Sequence, residues 1–385
     1  MAAKTWVVCD RWIGSSAADS AINQELRSAA PEGTTVEKRR WQGGTADGVE
    51  EILVNNGRLQ FSILPTRGMG LWKGSIDGVS LGWDSPVRGP IHPQFVPVFD
   101  PSGLGWLEGF DEWICRCGLL SNGAPDFDDQ GRLTHPLHGR IANLPALRAE
   151  ISIDGDQITV TGEVIESRFH FQKLLLSTSI VTRRNDPTLT IHDRVTNLSA
   201  SPGEMQMLYH CNFGAPILGA GAELVAPAAE VVPRNDWAAE GAGHWSTFTE
   251  PTAGMPERVY LMKLRAGADK QTMALLKDAR GERGVSLAWD VDQLPCFTLW
   301  KNETSLQDGY VTGLEPGTNF PNPRSFETEK GRVVKLAPGA SHQMSVRVTY
   351  HDSAESIGKA EAMIAALQGN QATKLFEQPQ PDWCA

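Results

Sequence analysis

The chain has 385 residues, 41% hydrophobic and 21% charged, which supplies a packed core and argues against global disorder. Thirty-five lysines and arginines against 46 aspartates and glutamates give a net charge of −11, which repels phosphate backbones and anionic lipid, so neither nucleic acid nor membrane is an expected partner. The six cysteines form no C-x-x-C pair, the start has no leader-like apolar run, and no stretch nears the roughly 20 apolar residues of a membrane span, so the expected location is the cytoplasm.

In chain order, residues 1–40 read as an N-terminal extension packing on the main body, with helical spacing over 17–29. Residues 41–352 then carry strand signals. Asn56-Gly57, Asp77-Gly78 and Asp154-Gly155 are two-residue turns between alternating runs, the mark of antiparallel hairpins. Further short runs rich in β-branched and aromatic residues follow at 169–181, 188–196, 258–264, 272–276, 285–289, 297–300 and 344–350. Helical periodicity returns at 356–367, within a C-terminal helix and tail spanning 353–385. Strands without alternating helices predict an all-β fold, a large antiparallel sandwich with a few peripheral helices, and disfavour parallel α/β architectures.

Long Pro- and Gly-rich connections at 85–105, 122–136 and 216–256 carry or border Trp106, Phe110, Trp113, Phe127 and Trp245. Loops of this length in compact domains are commonly functional, and their aromatics either cover a cleft or anchor the loop.

Three segments place an ionisable residue among glycines, amides or prolines: His138-Gly139-Arg140, Tyr209-His210-Cys211-Asn212-Phe213-Gly214, and Glu315-Pro316-Gly317-Thr318-Asn319-Phe320-Pro321-Asn322. Taken singly, each has a plain reading, a packed histidine or a solvated glutamate in a turn. In this order, together with Ile63-Leu64-Pro65-Thr66-Arg67-Gly68-Met69-Gly70 and Leu294-Pro295 leading to Trp300-Lys301-Asn302, they resemble the aldose 1-epimerase (galactose mutarotase-like) superfamily from about residue 51 to 350. Phe110-Asp111-Glu112-Trp113 and Arg116-Cys117-Gly118-Leu119 look like an uncharacterised branch of it, similar to the DUF4432 family. Tyr209 before the second histidine, Cys211 after it, and the surroundings of Glu315 depart from the galactose enzymes, so the resemblance carries no sugar specificity.

What the resemblance implies is an isomerase of carbohydrate metabolism that exchanges the anomers of an aldose or modified sugar by general acid/base catalysis, with no cofactor and no metal. Glu315 would be the base, His210 the acid, and His138 a hydrogen-bonding partner of the sugar oxygens. Such roles call for an ionised Glu315 beside a protonated His210. The expected substrate-binding residues are Arg67, Glu112, Arg140, Asn212, Trp300, Asn322 and Arg324. Guanidinium groups suit carboxylate or phosphate as well as sugar hydroxyls, so an anionic sugar stays open, and Trp113 joins Trp300 as a candidate for stacking on a sugar face. Competing readings are another sugar isomerase, lyase or hydrolase using Glu112 or Tyr209 opposite Glu315, a non-catalytic carbohydrate sensor, or a metal site built from His92, His135, His138 and His210.

Overall fold

The computed structural model describes residues 3–11, 15–16 and 19–385. Among the described residues two large sheets face each other, one of ten strands and one of thirteen. Every strand pairing among them is antiparallel except that of the short Lys374–Leu375 strand, which runs parallel to Ala228–Pro233 at one sheet edge. The first two residues of the helix expected over 17–29 lie outside the described residues; the remainder is the helix Asp19–Ala29.

The ten-stranded sheet follows the period-2 rule that made it readable. Gln157–Ser167 and Lys173–Arg183 alternate buried and part-exposed residues along their length, as a sheet with one face on the core and one toward water must. The run expected from 169 starts later, because Phe169 and Phe171 lie in the preceding turn and are exposed. At the third hairpin Asp154 pairs with Gln157, so the turn residues are Gly155 and Asp156.

The thirteen-stranded sheet behaves differently. In Val311–Gly317 all seven residues are buried, and Gly203–Phe213 is buried at every position but Glu204. One face packs into the main core between the sheets. The other is roofed by the loops of residues 81–142, whose Trp83, Trp106, Phe110 and Ala142 form a second apolar cluster with Cys115, Cys117 and Leu208. Covering both faces erases the alternation that marks a strand in sequence.

Residues 1–40 do more than pack on the sandwich. Lys4–Asp10 pairs with Arg148–Asp154 in one sheet, and Thr35–Arg40 pairs with Glu50–Asn55 in the other. The C-terminal helix Ala354–Gln368 is capped by Ser353, whose hydroxyl accepts from Ser356 N. Beyond it the tail returns to the thirteen-stranded sheet, joining its edge through Lys374–Leu375, and Trp383 stacks on Phe320 at 4.8 Å.

Candidate active site

Adjacent strands of the thirteen-stranded sheet bring the three motif segments together. Cys115 pairs with His210 across one ladder and Thr298 with Glu315 across another. Between them, Leu208 pairs with Gly317 and Cys211 with Leu314, a register that sets His210 opposite Glu315. The two intervening pairs are missing from that ladder, at the point where Pro316 has no N–H to donate. The Glu-Pro-Gly run therefore lies inside a strand, not in a solvated turn.

His210 Nε2 lies 3.2 Å from Glu315 Oε1, and the two residues are 4% and 2% exposed. On the far side of the ring, His210 Nδ1 is 2.6 Å from Asn212 Oδ1. Asn212 Nδ2 already donates to the carbonyls of Glu112 and His210, so its oxygen accepts and Nδ1 carries a proton. A neutral His210 thus turns a bare Nε2 toward Glu315, and the contact between them has room for a single proton. His138 is fixed in the same sense: its Nδ1 donates to the Asn122 carbonyl at 2.9 Å, leaving Nε2 free to accept. The two imidazoles are 5.3 Å apart between ring centres.

His138 sits at a left-handed backbone position, φ 56°, followed by Gly139 at φ 70°. A side chain at Gly139 would run into the Ser121 and Gly118 carbonyls, which accounts for glycine after this histidine. Asn122, whose carbonyl orients the ring, exchanges two amide hydrogen bonds with Asn319, tying the turn to the end of the Glu315 strand.

The electrostatics disfavour charge. Desolvation is the largest influence on all three groups: it lowers His138 to about 4, lowers His210 to about 3 with help from His138, and pushes Glu315 well above the usual carboxylate range, aided by nearby Glu257. Trp106, Phe110 and Trp300 surround His210 at 6.2, 5.1 and 5.2 Å, an apolar setting that penalises an imidazolium. The expected resting pair of ionised Glu315 and protonated His210 is corrected here: burial favours the uncharged tautomer, with the proton on Glu315.

These groups open into a cleft of about 220 Å³, smaller than the roughly 300–1,000 Å³ typical of drug-sized ligands and suited to one small ring. Its lining includes Trp106, Phe110, His138, His210, Thr298 and Glu315, with Arg234, Glu257 and Trp300. Two further buried polar atoms of lining residues, Thr298 Oγ1 and Trp106 Nε1, have no hydrogen-bond partner among the described residues. Each such atom costs about 1–3 kcal/mol, and a polar ligand is what would complete their bonding.

Of the expected site residues, His138, His210, Glu315 and Trp300 line this cleft. The others are engaged elsewhere. Arg67 is 1% exposed, its Nε donating to Glu112 Oε1 at 2.7 Å, with further bonds to Asn143 and to the Ile91 and Gly109 carbonyls. Arg67, Glu112 and Asn212 thus form the support behind His210. Arg116 is buried on Asp193, which also accepts from Tyr209. Arg140 stacks over Phe99, and Arg324 pairs with Glu204 and donates to the Leu120 carbonyl. Asn322 donates to Glu327 and to the Trp383 carbonyl, clamping the tail. Trp113 is a core residue 1% exposed, whereas Trp106 and Phe110 do cover the cleft. Of the four histidines weighed as a metal set, His92 caps a short turn through Gln94 N and His135 faces Asp126 at 3.9 Å, apart from the other two.

Sequence reasoning missed Arg234, Glu257, Thr298 and Gly313. Arg234 pairs with Glu257 at 2.7 Å, and Trp300 Nε1 donates to the same carboxylate at 2.6 Å; nothing local marks these partners. Gly313 had a usable signal, lying two residues before Glu315 on the same strand face. A Cβ there would stand 2.5 Å from Glu315 Oε1 and 3.1 Å from His210 Cε1.

The family model described as a domain of unknown function, DUF4432, matches residues 46–350. A Klebsiella pneumoniae protein bearing the provisional name aldose 1-epimerase is 34% identical, the alignment covering 98% of this chain and 99% of that one, with a TM-score of 0.92. Galactose 1-epimerase from Lactobacillus acidophilus matches at 14% identity over 83% of this chain and 99% of its own, TM-score 0.54, and a galactose mutarotase-like protein from Clostridium acetobutylicum at 13%, over 84% and 100%, TM-score 0.58. These two likenesses establish the fold, a mutarotase-like β-sandwich. No curated protein matches by sequence. With its family's model spanning most of its length and a full-length relative in the same fold, the chain belongs to the DUF4432 family.

Proposed function

We propose that this protein is an aldose 1-epimerase, exchanging the anomers of a sugar by proton transfer between Glu315, His210 and the substrate. The observation that carries the reading is the buried 3.2 Å contact of His210 Nε2 with Glu315 Oε1 at the floor of a cleft sized for one ring. The Klebsiella relative's name and the mutarotase-like fold support it.

A cyclic aldose opens when its anomeric hydroxyl loses a proton and its ring oxygen gains one; rotation and closure on the other face invert the centre. In this scheme Glu315 takes the proton from O1 while His210 delivers the Nε2 proton to O5, and closure reverses both transfers. The pair holds one proton before and after: carboxylate with imidazolium beside the closed ring, carboxylic acid with neutral imidazole beside the open aldehyde. Burial favours the neutral combination, so in the resting site the proton must first pass from Glu315 to His210 Nε2, a step that forms part of the barrier, and ring opening returns the pair to its neutral form. His138 Nε2, an acceptor by its bond to Asn122, receives a sugar hydroxyl. Asn212 keeps the His210 ring in the one tautomer that works.

The lyase and hydrolase readings looked to Glu112 or Tyr209 opposite Glu315. Glu112 is held by Arg67, and the Tyr209 hydroxyl bonds Asp193, away from the cleft.

Saturation-transfer NMR over a panel of neutral, acidic and deoxy aldoses tests the proposal. Accelerated exchange is expected for at least one sugar, with a loss of about 10²–10⁴-fold in Glu315→Gln and in His210→Asn. Full-rate exchange in folded Glu315→Gln would sink the assignment.

A further inference from the structure

We infer that the cleft selects an aldose with an apolar edge: a deoxy or C-methyl sugar in which hydrogen or methyl replaces a hydroxyl or hydroxymethyl group away from the anomeric carbon. The inference rests on the anomer-exchange reading and names its substrate class.

The cleft lining divides by chemistry. The sheet and the His138 turn bring the groups that bond a sugar, including the unpartnered Thr298 hydroxyl and the Glu315 carboxyl that faces His210. The loops bring Leu104, Leu107, Ala124, Leu137 and Pro321, whose side chains offer no donor or acceptor. Arg234, the guanidinium on the lining, is already paired with Glu257. A fully hydroxylated ring filling this space would press at least one hydroxyl against the leucines, where contact displaces water from that side and supplies no partner.

Leu104 and Leu107 are 45% and 44% exposed. Large apolar side chains of a cleft lining that stay open to water are covered by the apolar part of what enters. Anomer exchange requires a free hydroxyl at the anomeric carbon. The apolar group must therefore sit on another carbon and is not an aglycone.

The test uses matched pairs, 6-deoxyhexoses against their parent hexoses in several ring stereochemistries, with wild type and Leu104→Gln/Leu107→Gln. Both leucines are half-exposed, so the double variant should fold; a thermal melt checks this, with Leu107→Gln alone as the fallback. Binding is read by ligand-observed saturation transfer and exchange from the anomeric signals. In wild type the deoxy member of a pair should bind and exchange about tenfold or more better than its parent, and the variant should handle the two alike. Equal handling by wild type, or a deoxy preference that survives in the variant, overturns the inference and leaves anomer exchange standing. Deoxy-selective binding without exchange supports the apolar wall and defeats the epimerase reading. Binding of neither member in any pair overturns both.

Discussion

Replacing Gly313 with alanine sets a methyl group against the reacting pair. The new Cβ would lie 2.5 Å from Glu315 Oε1, 3.1 Å from His210 Cε1 and 3.2 Å from Trp300 Cε3. Ordinary contact begins near 3.4 Å, so 3.4 − 2.5 leaves about 0.9 Å to be found. The backbone cannot retreat, because Gly313 pairs with Trp300 on one side and Asn212 on the other, and the imidazole and indole block sideways movement. The Glu315 carboxyl is the end of a side chain and yields first. A displacement near 1 Å at a reacting group costs roughly 100-fold in rate, or about 2.7 kcal/mol of transition-state stabilisation at 1.36 kcal/mol per tenfold. The stability cost belongs at the low end of the about 1–3 kcal/mol for overpacking, since no main chain has to shift. Exchange rates from saturation-transfer NMR, alongside thermal melts, separate the two effects. In a Glu315→Gln background the alanine should add little further loss, because the group it displaces is already disabled. A folded Gly313→Ala protein with wild-type exchange would refute the claim that Glu315 acts from this position.

Two further outcomes follow from the electrostatics. With His138 held to about 4 and His210 to about 3 by burial, exchange corrected for the buffer-catalysed rate should keep its neutral-pH value down to about pH 5 and fall only below it; an acid limb centred near 6.5, the ordinary imidazole value, would contradict the buried site. The same lowering makes stability pH-dependent in one direction: the part due to neutral imidazoles is complete above 6.5 and is lost as pH falls from there toward about 4 and about 3, because the unfolded chain binds those protons first. Arg116→Met strands the Asp193 carboxylate, leaving Tyr209 as its remaining side-chain donor, and should destabilise by about 3–5 kcal/mol in urea unfolding. A loss below about 1 kcal/mol would show that the pair is not sealed from water.

The hairpin at Asp77-Gly78, those whose turns begin one residue later than expected at Gly57 and Gly155, and the alternating strands of the ten-stranded sheet were legible because their signals are local: turn residues that tolerate left-handed backbone, and side chains that alternate between core and water. The order of His138, His210 and Glu315 was legible too. The cleft's other partners were not. Gly203–Phe213 and Val311–Gly317 are buried on both faces and lose their alternation, and Glu315 reads locally as a turn residue because Pro-Gly follows it.

The fate of each arginine is likewise a long-range matter. Arg67 meets Glu112, 45 residues on, and Arg116 meets Asp193, 77 residues on, so motif position alone does not distinguish a buried ion pair from a ligand contact. Arg234 joins the cleft through Glu257 from a loop with no motif at all. What the sequence by itself determined was the all-β class, the local hairpins and the residue types able to move protons. Tertiary structure decided which of those residues share a cleft, which way their protons point, and that burial keeps the Glu315–His210 pair uncharged, because register, desolvation and partner choice are set by chain segments up to 200 or so residues apart, as Asn122 and Asn319 are at 197.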